Sequence, residues 1–261
     1  MTADPSRRRK VMIANWKLNG CAESVEAWIE TMTPLAEEGR LDIILMPPAL
    51  WMERARSRLA GHPSRVTLGA QNVAAWEQGA YTGEIGATML AEAGARYALI
   101  GHSERRRIFG ETDEMVSRKL ACCLAAGLSP VLCIGETENE RDAGETDRVL
   151  KRQLGVLEGV ASLSSASALW IAYEPVWSIG TGQAATPDLI EVVLAGIRSH
   201  WAGLNATIDI QPRLLYGGSV SLANAASLIA LEAVDGLLVG GSSVDPESCA
   251  DLCRSLIRAL D

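Results

Sequence analysis

The stretch Ala168-Leu-Trp-Ile-Ala-Tyr-Glu-Pro-Val-Trp177 joins an apolar run to a single acidic residue, Glu174. An apolar run that does not alternate with polar residues is typical of a strand buried on both faces of a parallel sheet. A carboxylate at the edge of an apolar core is costly unless a partner or a reaction uses it. The stretch therefore predicts a buried parallel strand with a functional carboxylate at its carboxyl end.

Similar apolar runs recur along the chain, and longer segments of helical length separate them. We expect strands at Lys10–Ala14, Asp42–Met46, Val66–Gly69, Tyr97–Ile100, Pro130–Ile134, Leu169–Tyr173, Arg213–Tyr216 and Gly236–Val239. We expect helices that include Ala22–Glu38, Thr112–Ala126, Asp147–Gly159, Pro187–Trp201 and Pro246–Leu260. Eight strand–helix units predict an α/β protein with a closed parallel (β/α)8 barrel. An open doubly wound sheet is the alternative, but it rarely contains eight such even units.

The composition is that of a folded protein without a basic surface. Hydrophobic residues make up 48% of the 261 residues, and the formal net charge is −8. Binding to a phosphate backbone needs a basic face, so we expect no nucleic-acid partner. No apolar segment has the length of a transmembrane helix or follows the pattern of a signal peptide, so we expect no membrane association.

The cysteines follow no spacing that is typical of a metal site or a disulfide framework. They are Cys21, Cys122, Cys123, Cys133, Cys249 and Cys253. We expect free thiols in a reducing cytoplasm, and neither a metal nor a cofactor. Since no linker or low-complexity tract divides the chain, residues 10–261 are predicted to form one barrel domain. Residues 1–9 are an N-terminal extension for which the sequence leaves disorder open.

Polar residues and glycines follow the predicted strands, where the chemistry of such barrels collects. They are Asn15 and Lys17 after the first strand, His102 and Glu104 after the fourth, Glu174 after the sixth, Gly217–Ser219 after the seventh and Gly240–Ser242 after the eighth. Glycine pairs can also have no role beyond forming the tight turns between strand and helix. Two pairs in the last two loops favour a phosphate or another dianion, because bare backbone N–H groups there face a ligand.

The remaining polar groups suggest one reaction. A helical turn can begin after His102. Hydrogen bonds donated by its N–H groups to the imidazole would disfavour the imidazolium and keep the ring neutral. This setting favours a catalytic role for His102 over a structural one. Lys17 and Glu104 are expected to form an ion pair that also presents the ammonium to a substrate, and Asn15 leaves a turn role open. These groups fit proton abstraction beside a carbonyl in a phosphorylated sugar fragment, with Glu174 as base.

The sequence closely resembles the triosephosphate isomerase family over all but about its first nine residues. The motifs that carry the resemblance include Ala14–Gly20, Ile100–Arg106, Ala172–Trp177, Leu215–Val220 and Asp235–Gly241. The resemblance implies the TIM-barrel fold and the interconversion of dihydroxyacetone phosphate and D-glyceraldehyde 3-phosphate. It implies that Glu174 is the base and His102 the electrophile, and that Asn15 and Lys17 contact the substrate.

The resemblance also implies a phosphate site, a lid and an oligomer. Phosphate would be held by backbone groups of Gly180, Ser219, Gly240 and Gly241. Pro175–Trp177 would be the first hinge of the lid, and Ser178 stands where alanine is usual. Family members are normally homodimers, and Thr82 occupies the position that reaches into the neighbouring active site.

Two other functions remain open at this point. An isomerase of a four-carbon tetrulose phosphate would use the same catalytic set. A barrel that only binds phosphometabolites or a protein partner would not need both Glu174 and His102, so their joint presence counts against it.

Overall fold

The computed structural model describes residues 9–37, 41–61, 65–158, 160, 168–181, 183–204 and 210–261. The predicted N-terminal extension lies outside these ranges except for Arg9. Glu38, Gly159 and Gly182, which belong to predicted helices and to the predicted lid, also lie outside them.

Parallel strands close into a barrel in which each strand pairs with its neighbours in the sequence and the first pairs with the last. The strands are β1 (Lys10–Asn15), β2 (Leu41–Met46), β3 (Val66–Ala70), β4 (Ala95–Ile100), β5 (Ser129–Ile134), β6 (Trp170–Tyr173), β7 (Arg213–Tyr216) and β8 (Gly236–Val239). The predicted closed (β/α)8 barrel is confirmed, and each predicted strand is present with ends that differ by two residues or fewer.

Helices surround the barrel. Those in the described ranges are α1 (Ala22–Glu37), α2 (Met52–Leu59), α3 (Ala87–Glu92), α4 (Ser103–Phe109), α5 (Asp113–Ala125), α6 (Glu138–Asp142), α7 (Thr146–Leu154), α8 (Pro187–Leu204), α9 (Ala225–Ile229) and α10 (Pro246–Ala259). The helix predicted to reach Gly159 ends earlier, at Leu154, and continues as a 3-10 turn over Gly155–Leu157. None of the described helices is long and apolar enough to cross a membrane.

The strands are buried on both faces, which explains their continuous apolar sequences. In β1, Val11 and Ile13 belong to the cluster inside the barrel, while Met12 and Ala14 pack towards the helices. Burial of both faces fixes each strand and therefore the loop that follows it. The carboxyl ends of the strands thus form a rigid rim for the polar residues.

Candidate active site

A cavity of about 340 Å³ opens at the carboxyl ends of the strands. Its lining includes every predicted site residue except Thr82: Asn15, Lys17, His102, Glu104, Glu174, Gly180, Ser219, Gly240 and Gly241. Thr82 lies on the surface, in the loop between β3 and α3. The barrel therefore brings together groups from the loops after β1, β4, β6, β7 and β8.

Glu174 follows β6 and is 1% exposed, so its carboxylate depends on protein partners. Its Oε1 atom lies 3.1 Å from Nε2 of His102. Its Oε2 atom accepts a hydrogen bond from the backbone N–H of Ser103 at 3.1 Å. Both partners come from the start of α4, which compensates the burial of the charge.

His102 is the N-cap residue of α4, and its ring accepts the N–H of Glu104 at Nδ1 over 3.3 Å. Because Nδ1 accepts this hydrogen bond, Nε2 is the ring nitrogen that remains to donate, and it is the one nearer Glu174. The helix terminus thus fixes the tautomer of a buried ring that is 6% exposed.

Lys17 is held in an uncommon backbone conformation. Its φ angle is 53°, and no other non-glycine residue in the described ranges has a positive φ. Its N–H donates to Oδ1 of Asn15 at 3.1 Å, and Gln71 donates to its carbonyl oxygen at 2.9 Å. Its ammonium donates to Glu104 at 2.7 Å. The loop therefore directs a positive charge into the cavity.

The ion pair with Lys17 affects the pKa of Glu104. Burial on its own would raise its pKa, but the hydrogen bond and charge of Lys17 outweigh burial and bring the pKa below its ordinary value. Glu104 is therefore ionised at neutral pH and restrains the ammonium of Lys17.

The loops after β7 and β8 present bare backbone to the cavity. A Cβ atom on Gly218 would lie 2.2 Å from the Tyr216 hydroxyl oxygen and 2.5 Å from that of Ser178, so only glycine fits. A Cβ on Gly240 would lie 3.2 Å from Cε of Lys17. A 3-10 turn begins at Gly241, and Gly240, Gly241 and Ser242 at its start line the cavity.

The segment after Glu174 forms a short 3-10 turn, Val176–Ser178, that leads towards Gly180. Trp177 donates its indole N–H to Glu136 at 2.8 Å, and the guanidinium of Arg141 lies 3.9 Å from the indole centroid. The turn is therefore anchored on its outer side, while Gly180 lines the cavity with a φ of 72°.

Three residues of the site were not assigned a role from the sequence. Ser103 supplies the amide that binds Glu174, and its position directly after His102 at a helix start could have indicated this. The thiol of Cys133 lies against Glu174, and its pKa is raised well above its ordinary value, first by burial and then by that carboxylate. Ser178 hydrogen-bonds to the loop after β7. No local sequence signal indicates the last two contacts.

All six cysteines are free, and every one of them lies in a described range. Across the described residues, no three His, Cys, Asp or Glu side chains group together as metal ligands do. The polar side chains of the cavity thus include two carboxylates, an imidazole, an ammonium, the amide of Asn15 and the guanidinium of Arg107, beside the backbone of the glycine loops.

Comparison with known proteins agrees with this geometry. The family model for triosephosphate isomerase matches residues 10–256. The triosephosphate isomerase of Pseudomonas putida strain GB-1 is 46% identical over 250 residues, which cover 95% of this chain and 98% of that protein. That of Pseudomonas aeruginosa strain LESB58 is 44% identical over 249 residues. The crystal structure of triosephosphate isomerase from Bartonella henselae matches with a TM-score of 0.84 at 34% identity, covering 95% of this chain and 98% of that chain.

Proposed function

The chain belongs to the triosephosphate isomerase family, an intramolecular aldose–ketose isomerase family, and we propose that it interconverts dihydroxyacetone phosphate and D-glyceraldehyde 3-phosphate through an enediolate. The contact between Glu174 and the neutral ring of His102, at 3.1 Å, carries this proposal. A buried carboxylate beside a neutral imidazole suits removal of a carbon-bound proton next to a carbonyl.

Glu174 acts as the base in this proposal. In the structure one of its oxygens accepts a hydrogen bond from the Ser103 N–H, and the other lies 3.1 Å from Nε2 of His102. The substrate therefore draws the carboxylate away from these donors before it takes a proton. The Nε2–H of His102 then becomes free to donate to a substrate oxygen and to stabilise the developing negative charge. The backbone N–H of Glu104 supports this role by its hydrogen bond to Nδ1.

Lys17 and the glycine loops bind the substrate in this proposal. The Cε atom of Lys17 lies so close to Gly240 that the ammonium and the amides of the last loop can act on one anion. Backbone N–H groups of Gly180, Ser219, Gly240 and Gly241 bind the phosphate, and the side chain of Asn15 contacts the substrate. The segment Pro175–Gly180 closes over the substrate and excludes water.

Turnover of D-glyceraldehyde 3-phosphate by the purified chain tests the substrate, beside a tetrulose phosphate as the competing candidate. We expect kcat/KM for the triose phosphate to exceed that for the tetrulose phosphate by at least about tenfold. One additional carbon in a pocket changes transition-state binding by a small but measurable amount. A preference for the tetrulose phosphate would contradict the substrate and keep the chemistry.

We further propose that the chain forms a homodimer. A second cavity of about 440 Å³ adjoins the first and shares Asn15, Lys17, His102 and Glu104 with it. Its apolar lining is open to solvent, since Leu18 is 97% exposed and Ile85 and Phe109 are also exposed. An exposed apolar patch beside a catalytic cavity is typical of a subunit interface. The loop that carries Thr82 from a second chain fills this cavity in the proposed dimer.

Sedimentation of wild type and of Leu18→Asp tests the dimer. Leu18 is almost fully exposed in the single chain, so the substitution affects folding little, whereas it places a charge in a dimer interface. We expect a dimer of the 27.8 kDa chain for wild type and a shift to monomer for the variant. A fully active wild-type monomer would contradict the proposal.

We propose a cytoplasmic location, because six unpaired thiols are typical of a protein from a reducing compartment. Trapping free thiols by alkylation at the moment of cell lysis tests this. Recovery of a stable disulfide would contradict it.

A further inference from the structure

One of the amides proposed to bind phosphate donates a hydrogen bond to another residue of the protein. The N–H of Ser219 donates to Oγ of Ser178 at 3.3 Å. Ser178 belongs to the first turn of the lid segment and is completely buried, at 0% exposure. A residue of the lid therefore holds the same donor that a phosphate oxygen would need.

The hydroxyl of Ser178 lies close to that of Tyr216, at the end of β7, since a Cβ atom on Gly218 would lie within 2.5 Å of both oxygens. Burial raises the pKa of Tyr216, and hydrogen bonds from the Ala185 amide and the Ser178 hydroxyl oppose that rise. The Ala185 N–H donates to the phenol oxygen at 3.2 Å. Since Ser178 lies in the first turn of the lid and Ala185 follows the lid, Tyr216 contacts the chain on both sides of Gly180.

The loop after β7 lies directly on this pair of hydroxyls. Gly218 has no room for a side chain, because a Cβ atom there would lie within 2.5 Å of both oxygen atoms. A displacement of Ser178 is therefore transmitted to Gly218 and Ser219, and the reverse also holds.

We infer that Ser178 is a positioning residue that couples phosphate binding to release of the lid. Its Oγ atom accepts the hydrogen bond of the Ser219 N–H, and a phosphate oxygen takes its place when phosphate binds. An anionic oxygen is the stronger acceptor, so the exchange is favourable once phosphate arrives. Displacement removes this hydrogen bond and leaves the contact with Tyr216 to hold the inner side of the first turn of the lid, so the turn moves more readily. The inference rests on the proposed function, because it takes a phosphate-bearing substrate as given.

Binding of inorganic phosphate to Ser178→Ala, measured by competitive inhibition of turnover and by calorimetry, tests the inference. Removing the competing acceptor frees the Ser219 amide, so we expect the dissociation constant for phosphate to fall by about 2- to 10-fold, the value of one hydrogen bond. Ser227→Ala is the matched control, because Ser227 is exposed and donates only to Asn224. We expect it to bind phosphate as wild type does.

Ser178→Cys separates hydrogen bonding from packing. The thiol nearly preserves the volume of the hydroxymethyl group but is a weak acceptor. We expect it to bind phosphate more tightly than wild type, as Ser178→Ala does, whereas a packing role predicts that it resembles wild type. Because the thiol fills the space of the hydroxymethyl group, Ser178→Cys also controls for a collapse of the turn around the smaller alanine.

Phosphate affinity that is unchanged or weaker in both folded variants would overturn the inference. The two levels of the account remain distinguishable. If wild type neither binds phosphate nor isomerises the triose, the proposed function fails and the inference fails with it. If wild type does both and neither Ser178 variant binds phosphate more tightly, only the role of Ser178 is wrong.

Discussion

Oε1 of Glu174 lies 3.1 Å from Nε2 of His102, and the two residues follow β6 and β4, the strands on either side of β5. The other nitrogen of the ring accepts the N–H of Glu104, so the ring is a helix cap on one side and a donor on the other. These two roles can be separated by substitution, because they use different atoms.

His102→Asn and His102→Ala form a pair that separates capping from catalysis. Asparagine retains a side-chain acceptor for the helix start, and alanine does not. We expect kcat to fall by about 10²–10⁴-fold in both, because both lose the imidazole: alanine has no donor, and the asparagine NH2 sits on a shorter side chain and cannot exchange protons as a ring does. Only His102→Ala should also lose about 0.5–2 kcal/mol in the free energy of unfolding, measured in urea. A fully active His102→Asn would remove the ring from the mechanism.

Glu104→Gln should weaken substrate binding and make the free energy of unfolding depend less on pH in acid. The pair with Lys17 is partly exposed, so we expect KM to rise by about fivefold or less. The pKa of Glu104 is lowered in the folded state, so its contribution to stability is complete above its ordinary pKa of 4.5 and is lost as pH falls through the lower folded value.

Urea unfolding at about pH 7 and about pH 3 measures that contribution. Wild type should be the more stable protein at the higher pH, and the difference from Glu104→Gln should shrink in acid. An equal difference at both pH values would show that the ionised Glu104–Lys17 pair does not contribute.

Gly240→Ala should impair binding more than folding. The added methyl group would lie 3.2 Å from Cε of Lys17 and would face the proposed phosphate site. We expect KM to rise by at least about tenfold, since the lost contacts are charge-assisted hydrogen bonds. Gly196→Ala in α8 is the control: nothing lies within 4 Å of its Cβ position, so turnover should not change. Stability of the control should rise by up to about 1 kcal/mol. Equal KM values for the two variants would contradict the site.

Native thiols should react in an order set by burial. Cys21 is exposed, whereas Cys133 is buried against Glu174 with a pKa raised well above its ordinary value. We expect a fast phase with an aromatic disulfide reagent that disappears in Cys21→Ser, and reaction of Cys133 only on unfolding. Rapid modification of Cys133 in the native protein would contradict the packing around Glu174.

The barrel was predictable because its strands are buried on both faces. Runs such as Pro130–Ile134 are continuous in apolar residues, and a closed sheet of such strands places each loop in a known order. The short helices α2, α3, α6 and α9 were not predicted. They contain five to eight residues, too few for a helical period to stand out from the surrounding loops.

The site was predictable as far as strand ends define it, and no further. Lys17, His102 and Glu174 follow strands directly, so the fold brings them together. The bond between Ser178 and Ser219 joins residues 41 positions apart, and it depends on how a buried turn packs on a glycine loop. Contacts of that kind arise from packing geometry, which a linear pattern does not encode.

The most direct test is turnover of D-glyceraldehyde 3-phosphate by Glu174→Gln beside wild type. Glutamine preserves the size of the side chain and can still accept from Ser103, but it cannot take a proton. With Glu174 as base, kcat should fall by about 10²–10⁴-fold while KM changes little. A variant whose kcat stays within about a factor of three of wild type would show that Glu174 is not the base, whichever substrate the enzyme prefers.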